Sequence, residues 1–528
     1  MPPHLAIAPL LIALVTAILT LLFRRFTRLQ HALSLAGALA YLVSVALLAI
    51  TVFPDSILVY QLSGWPAPFG ITLVADALSV FMLSLTAVVS LAAVVYSVRF
   101  MSTHAQRVSY HPLYHFLVVG ITGSFLTGDL FNLFVWFEVL LLSSYVLVAF
   151  YSGPEHTRAA LTYTVLNLLG SALMLVAIGG LYATIGTLNM ADMARRLATP
   201  ARFGIDPVPV LGLTVILFCV FALKVGIVPF QFWVPAAYRA APAPVSAMLA
   251  GIVKKVGIYA IIRLYFTVFA TATLPRGLSL PGFVGDSFLS FFGPILFVMA
   301  GASILFGGIA AVSRDDLDGL LAYSSIGQIG FVVLPLAVAA TVPEVRALGI
   351  TAALVYALNH GLAKSMLFLV SGTIEEAVGS VDFTDLGGLA KRTPLLSISF
   401  FVGAVSLIGI PPLAGFFGKL FVFLTAVRAD MMAGWGPTLA LSLSVFGAIL
   451  TIAYVSRAWN RGFWGSESDG IAEATYSPLL IGVVLSLAAL VVLVGVGFEP
   501  VLDAANAAAG AATDSHQYVT AVGPGGTN

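Results

Sequence analysis

The chain is a succession of uncharged apolar runs, each about twenty residues long, the length a helix needs to cross a bilayer. From Ala77 to Val98, for example, no side chain carries a charge. Lipid offers the backbone no hydrogen-bond partner, so each run must satisfy its own N–H and C=O groups. Barrel strands are shorter and alternate in polarity, whereas these runs are uniformly apolar. The expected fold is therefore an all-α polytopic membrane protein with about fourteen spanning helices. Their centres fall near residues 14, 42, 85, 120, 140, 170, 220, 255, 301, 330, 359, 410, 448 and 487. No soluble domain is expected. Arg24, Arg25 and Arg28 follow the first run rather than precede it, so it reads as a first helix and not as a removable signal. The Ala- and Gly-rich segment after Glu499 reads as a flexible external extension.

Composition narrows the function. Charged residues make up 9% of the 528 and apolar residues 60%, against about 25% charged in soluble domains. A net charge of +1 with dispersed Lys and Arg leaves no basic field for nucleic acid. The single cysteine, Cys219, lies in an apolar run, which excludes a disulfide framework and a cysteine-held metal or iron–sulfur centre. No phosphate-binding loop, metal-ligand spacing or Ser/His/Asp arrangement stands out. The expectation is a chain with no cofactor, no metal and no redox centre of its own, a transporter rather than an enzyme.

Of the 24 basic residues, twelve fall in odd-numbered connections and seven in even-numbered ones, the latter being Arg195, Arg196, Arg202, Arg263, Arg276, Arg346 and Arg428. This bias puts the odd connections in the cytoplasm and both termini outside. The remaining five are Lys224, Lys254, Lys255, Lys364 and Lys419, all inside apolar runs. A charge at the bilayer centre costs about 2.5–3.5 kcal/mol on insertion scales and marks function by default. Arginine does not release its proton there, whereas a desolvated lysine can. Five lysines and no arginine point to proton handling.

One carboxylate joins them. Glu138 sits mid-run in DLFNLFVWFEVLLLSSYVL, about 13 Å beyond Asp129 if the run is helical. An ionised carboxylate at that depth needs a cation, and Lys224 in FCVFALKVGIVPFQFWVP is equally central. The two read either as a static bridge pinning two helices or as a working acid and base. Pro229, after Gly226, interrupts the lysine's own helix; Pro411 and Pro412 interrupt SLIGIPPLAGFFGKLFVFL ahead of Lys419. One interrupted, lysine-bearing segment in each half is the pattern of an inverted-repeat transporter, although Lys224 precedes its break and Lys419 follows its own. Lys254 and Lys255 point about 100° apart on a helix, so only one is expected to enter the polar interior. His360 and Lys364, four residues apart, share a face, and Tyr323, Ser324, Ser325 and Gln328 supply polar groups in the preceding run. Asp76 reads as an interfacial cap, and Arg314, Asp315, Asp316 and Asp318 as a solvated turn.

Together these residues resemble a known family. Glu138 on the fifth span, Lys224 beside VPFQFWVPAAY on the seventh, Lys255 in KKVGIY on the eighth, His360 in NHGLAKSMLFL and Lys419 after GIPPLAGFFG are similar to the antiporter-like subunits. That family is shared by Mrp-type cation/proton antiporters, respiratory complex I and membrane-bound hydrogenases, and the likeness covers nearly the whole chain. It implies N-terminal helices one to three (residues 1–111), two inverted five-helix repeats (112–266 and 267–460) with helices seven and twelve broken, and a last helix with a polar tail (461–528). It implies that Glu138 and Lys224 act as paired acid and base, with Lys255 and His360 as the bridge and Lys419 as the terminal lysine of a hydrated midplane axis. Lys364, Gln328 and Lys254 are supporting candidates, and Lys254 has no counterpart in the family pattern. Gln328, where proton-pumping relatives carry histidine, and Lys419, where the M-type complex I subunit has glutamate, favour the D-type chains of Mrp antiporters. The implied partners are other membrane subunits of a hetero-oligomeric complex in the cell membrane, with protons and a monovalent cation as cargo. The alternative is a proton-pumping membrane subunit of complex I or a hydrogenase.

Overall fold

A computed structural model describes residues 3–53, 56–151, 153–274, 277–278, 286–433 and 437–525; Arg276 lies outside them. The spanning helices are α1 (Ala8–Leu22), α2 (Thr27–Val52), α3 (Ala77–Phe100), α4 (Tyr110–Leu126), α5 (Leu130–Val148) and α6 (Pro154–Ile185). There follow α7a (Pro207–Val225) with α7b (Trp233–Ala240), and α8 (Ala243–Thr271). Next come α9 (Phe288–Val312), α10 (Leu317–Thr341), α11 (Arg346–Val378), α12a (Pro394–Ile408) with α12b (Ala414–Ala433), α13 (Pro437–Ala458) and α14 (Pro478–Val496). Among the described residues, eleven helices are long and apolar enough to cross a membrane. With α1, α4 and the broken α12, the count reaches the expected fourteen, at the expected centres. An antiparallel hairpin, Leu58–Gln61 against Thr72–Ala75, caps one end between α2 and α3.

Burial sorts the helices into a centre and a rim. In its most apolar stretch α8 is 100% buried, and α10 and α11 are each 94% buried, against 28% for α13 and 33% for α2. The rim helices turn large apolar side chains outward, such as Leu39, Val43 and Ile50 on α2 and Leu161, Val165 and Leu168 on α6. Lipid surrounds a helix without penalty where its surface is hydrocarbon, so the apolar helices form the rim and the lysine-bearing α8 and α11 go inside. Close backbone contact holds the centre to its neighbour. A Cβ on Gly307 of α9 would lie 2.2 Å from the backbone nitrogen of Gly327 on α10, the small-residue packing on which membrane helices rely.

Three sequence expectations are corrected here. Arg263 is not in a connection. It lies inside α8, in a π-helical stretch (Ile262–Val268), and its Nη2 donates to Asp76 Oδ2 at 2.5 Å with both side chains 1% exposed. An arginine reads from sequence as a membrane edge, but a counter-ion 187 residues away lets this one stay inside. Asp76 caps α3 as expected, accepting from Ser79 N at 3.0 Å, and is buried.

The segment after Glu499 is not a flexible extension either. It folds as α15 (Glu499–Thr513) and α16 (Ser515–Val522), and α15 buries Ala505, Ala508, Ala509 and Ala512 on one face. Small side chains at helical spacing let it lie close against α3 and α11. Thr267 Oγ1 donates to Ala512 O at 2.8 Å, Ser515 Oγ donates to Thr267 O at 2.7 Å, and the Arg263 guanidinium stacks 4.8 Å from the Tyr518 ring centre.

The acidic turn before α10 is cross-linked rather than merely solvated. Asp315 accepts from Arg457 and Arg461, Asp316 caps α10, and Asp318 accepts from Ser371 Oγ at 2.6 Å.

Removing one member of a buried ion pair strands the other, at about 3–5 kcal/mol. Asp76→Asn is therefore expected to lower the thermal midpoint of the detergent-solubilised protein markedly. Asp76→Leu combined with Arg263→Met, which removes both charges, is expected to lose much less. Fluorescence-detected thermal unfolding distinguishes the two results.

Candidate functional site

The two interrupted helices share one backbone design. In α7 the N–H of Gly226 donates to Ala222 O and Leu223 O, and that of Ile227 to Ala222 O; in α12 Gly409 donates to Val405 O and Ser406 O, and Ile410 to Val405 O. This is the glycine-terminated helix end in which a left-handed residue lets the following amides turn back onto the last carbonyls. The glycines have φ of 67° and 93°, a region where any side chain is strained. Pro229 and Pro412 each stand three residues beyond their glycine, where a missing N–H prevents the helix from simply resuming.

Each break keeps a side-chain donor on the carbonyls it exposes. Trp233 Nε1, at the start of α7b, donates to Leu223 O at 2.7 Å, and Lys419 Nζ, on α12b, reaches back to Ile408 O at 2.9 Å. The reach of Lys419 removes much of the offset noted in the sequence. Although it follows the turning glycine Gly409 by ten positions, its amine reaches the start of that break.

The predicted lysines and His360 are gathered in the protein interior, whereas Glu138 is half-buried and Pro229, Pro411 and Pro412 are exposed. Lys224, Lys254, Lys255, His360 and Lys364 are each 0% exposed, and Lys419 is 4% exposed. Lys224 Nζ donates to Tyr163 OH at 3.3 Å and lies 5.4 Å and 5.7 Å from the ring centres of Phe137 and Tyr163. Tyr163 OH in turn meets Ser144 Oγ at 2.9 Å, and its ring packs on Trp233. Among the described residues no ion pair joins Lys224 to Glu138, so the direct bridge envisaged from sequence is open. Glu138 is nonetheless the carboxylate that acts electrostatically on Lys224, and its Oε1 is buried without a protein partner.

At the centre, Lys255 Nζ donates to Ala250 O at 2.7 Å and meets His360 Nδ1 at 2.6 Å. One turn on along α11, Lys364 Nζ donates to Leu321 O at 2.9 Å and Ser324 Oγ at 2.5 Å. Both α8 lysines enter the interior, contrary to the expectation of one. With protein on all sides of α8, its neighbouring faces are both inside, and a π-helical stretch (Leu249–Val253) leads into the pair.

Toward α12, Gln328 Nε2 donates to Tyr454 OH at 2.7 Å and Thr451 Oγ1 at 3.1 Å, and its Oε1 accepts from Tyr356 OH. Lys419 Nζ lies 4.8 Å from the Phe331 ring centre. Buried polar atoms without protein partners recur along this line: Glu138 Oε1, Lys254 Nζ, His360 Nε2 and Asn359 Nδ2. Such atoms are held by water when the protein offers nothing else, and a row of them suits a hydrated path.

The aromatic groups Tyr163, Trp233 and Tyr238 were not legible as site residues, because large aromatics in an apolar run read as lipid-facing bulk. Nor was a second titratable cluster among the N-terminal helices, where Ser34 Oγ joins His111 Nδ1 at 3.1 Å to His115 Nε2 at 2.7 Å. A cavity of about 510 Å³ opens where α6, α7b, α10 and α11 end on one face, lined by Glu155, His156, Arg239, Asp318 and Glu375 among others.

Comparison with known proteins follows the same line. The family model described as NADH:quinone oxidoreductase/Mrp antiporter, TM, matches residues 127–448. The chain is 33% identical to the D subunit of the Na(+)/H(+) antiporter of Alkalihalophilus pseudofirmus, over 98% of this chain and 99% of that one. It is 36% identical to the N subunit of the NADH-quinone oxidoreductase of Desulforudis audaxviator, over 88% and 86% of the two chains. A chain in the solved Mrp complex of a Dietzia species superposes with a TM-score of 0.85 at 26% identity, covering 98% of this chain and 99% of that one.

A hydrogen bond from a charged donor contributes about 1.5–3 kcal/mol. Lys419→Met should therefore speed amide hydrogen exchange at Gly409, Ile410 and Leu413 by about ten- to a hundredfold, while the amides around Gly226 stay unchanged. Hydrogen-exchange mass spectrometry reads both breaks in one experiment.

Proposed function

Because this chain belongs to the NADH:quinone oxidoreductase/Mrp antiporter family, we propose that it is the D-type, proton-translocating subunit of a multisubunit monovalent cation (Na+ or K+)/proton antiporter. The observation that carries this reading is the line of titratable groups from half-buried Glu138 through the buried Lys224, Lys254, Lys255, His360 and Lys364 to Lys419, which lies among two helices broken in the same way. The matching breaks support the division into inverted repeats at 112–266 and 267–460. The bias of basic residues supports cytoplasmic odd-numbered connections and external termini, in the cell membrane; moving Arg263 into α8 leaves six even-numbered basic residues of the original seven and sharpens that bias.

The mechanism follows from charge in a low-dielectric interior. At 4 Å and an effective dielectric near 20, Glu138 and Lys224 attract by about 4 kcal/mol. With Lys224 turned to Tyr163, that attraction is weakened, and each group is left free to exchange a proton with another partner. A proton then settles on Glu138 while one leaves Lys224 toward Lys255 and His360, and the charge passes on to Lys419. His360 suits the middle of this line, since one ring nitrogen already meets Lys255 while the other has no protein partner. The chain uses no redox centre of its own; the cation crosses the same assembly and is exchanged against the proton.

Partners supply the rest of the complex. Glu138→Ala or Lys224→Ala is expected to abolish cation-driven proton movement in vesicles containing the intact complex, with assembly unchanged. Normal exchange in a well-assembled variant would sink the mechanism. A second reading, a proton-pumping membrane subunit of a redox enzyme, is favoured by the likeness to the N subunit of an NADH-quinone oxidoreductase. Mass spectrometry of the proteins that co-purify from native membranes separates the two. Flavin- or iron–sulfur-carrying companions would establish the redox reading, and exclusively membrane-embedded companions the antiporter.

A further inference from the structure

Lys254 stands apart from its neighbours. Lys224, Lys255, Lys364 and Lys419 each donate a hydrogen bond to a named oxygen. Lys254 is 0% exposed, and its Nζ has no protein partner. Buried amines are normally hydrogen-bonded, so an orphan one needs an explanation.

Its position supplies one. A Cβ built on Gly226 would lie 3.4 Å from Lys254 Cε and 3.5 Å from its Nζ. The lysine stem is thus laid against the glycine that ends α7a, two residues beyond Lys224. The second break has the same arrangement, for a Cβ on Gly409 would lie 3.0 Å from Lys419 Cδ. Each turning glycine therefore carries a lysine stem, from α8 at the first break and from α12b, the second half of the same helix, at the second. Lys255 on its own helix and His360 and Lys364 on α11 interact electrostatically with Lys254, and the Tyr238 ring centre on α7b is 5.8 Å from its Nζ. Among the described residues no ion pair joins it to a carboxylate. A static ion pair is thereby excluded as its purpose.

We propose that Lys254 carries the proton across the break of α7, between Lys224 and the Lys255–His360 pair. This deepens the functional reading above and rests on it. The step is a simple exchange of N–H bonds. An N–H bond of the Lys224 ammonium breaks, leaving its electron pair on that nitrogen, and the proton passes through water at the break of α7 to the Lys254 lone pair. Lys254 then hands the proton to the Lys255–His360 pair in the same way, and one positive charge advances along the line. An amine with no protein hydrogen bond can accept and release without first breaking one, and its four-carbon stem lets it swing. Lys255, tied to Ala250 O and His360, lacks that freedom.

The test uses the intact complex in proteoliposomes, with an imposed sodium or potassium gradient and a pH-sensitive dye. Lys254→Gln is expected to slow exchange by about a hundredfold, the usual share of a positioned proton carrier. Lys254→Arg, which keeps the charge but not the ability to release the proton, is expected to be as slow. Lys254→His is expected to recover part of the rate, with the pH optimum of exchange moved downward toward the range of imidazole. A Gln variant at the wild-type rate, an Arg variant restored to it, or an assembled His variant as slow as Gln would each overturn the proposal. So would failure of all three to assemble, since the amine would then serve to hold the helices. Lys224→Ala, run alongside, keeps the two levels separate. If that variant still exchanges, the reading of the whole line fails; if it is dead while Lys254→Gln is unimpaired, only the role of Lys254 fails.

Discussion

A charge inside a bilayer must be walled off from hydrocarbon, and the architecture here is organised around that requirement. Lys254 and Lys255 sit on α8, whose spanning stretch is wholly enclosed by protein. His360 and Lys364 sit on α11, which is nearly so. The exposed faces of the rim helices present leucine, isoleucine and valine. Separation of this kind makes a polar line tolerable, because each charged group meets carbonyls, hydroxyls, aromatic faces or another titratable side chain in place of lipid tails. It also raises the stakes of every interaction on that line, since attraction and repulsion are both stronger away from bulk water.

The broken helices solve a related difficulty. A continuous helix consumes all of its own backbone hydrogen bonds and offers nothing to a passing charge. Ending α7a and α12a at left-handed glycines interrupts the backbone ladder of both helices, and Trp233 and Lys419 donate to the carbonyls of Leu223 and Ile408 beside the breaks. Non-helical backbone at this depth is tolerated only when protein or water satisfies it. The same geometry places a lysine stem on each turning glycine.

A second buried network fixes the frame within which that line works. Asp76 ties α3 to Arg263 on α8, and Tyr259 on α8 donates to Phe125 O of α4 at 2.7 Å. The C-terminal helices close over this cluster through Tyr518, Ala512 and Ser515. The lysines of α8 are therefore carried on a helix anchored at its far end by an ion pair that cannot drift into lipid. The network contributes orientation more than stability, for a buried pair gains little over apolar residues of the same volume yet is costly to leave half-made.

Helix number, helix position and the identity of the buried lysines were legible in the sequence, because apolar run length and the cost of intramembrane charge are properties of the chain itself. Gly226, Pro229, Pro411 and Pro412 marked the two interruptions for the same reason, as their backbone preferences hold wherever they stand. Contacts between distant segments were decided only by tertiary structure. Arg263 read as a membrane edge until Asp76 was found beside it, and the alanines after Glu499 read as a loose tail until α3 and α11 supplied the surface they pack on. Both α8 lysines proved to be inside because protein surrounds that helix, and Lys224 proved to rest on Tyr163 with the bridge to Glu138 open. Periodicity states which groups a helix carries; which partner each group finds depends on how the helices are arranged, and that arrangement follows from the packing of the whole bundle.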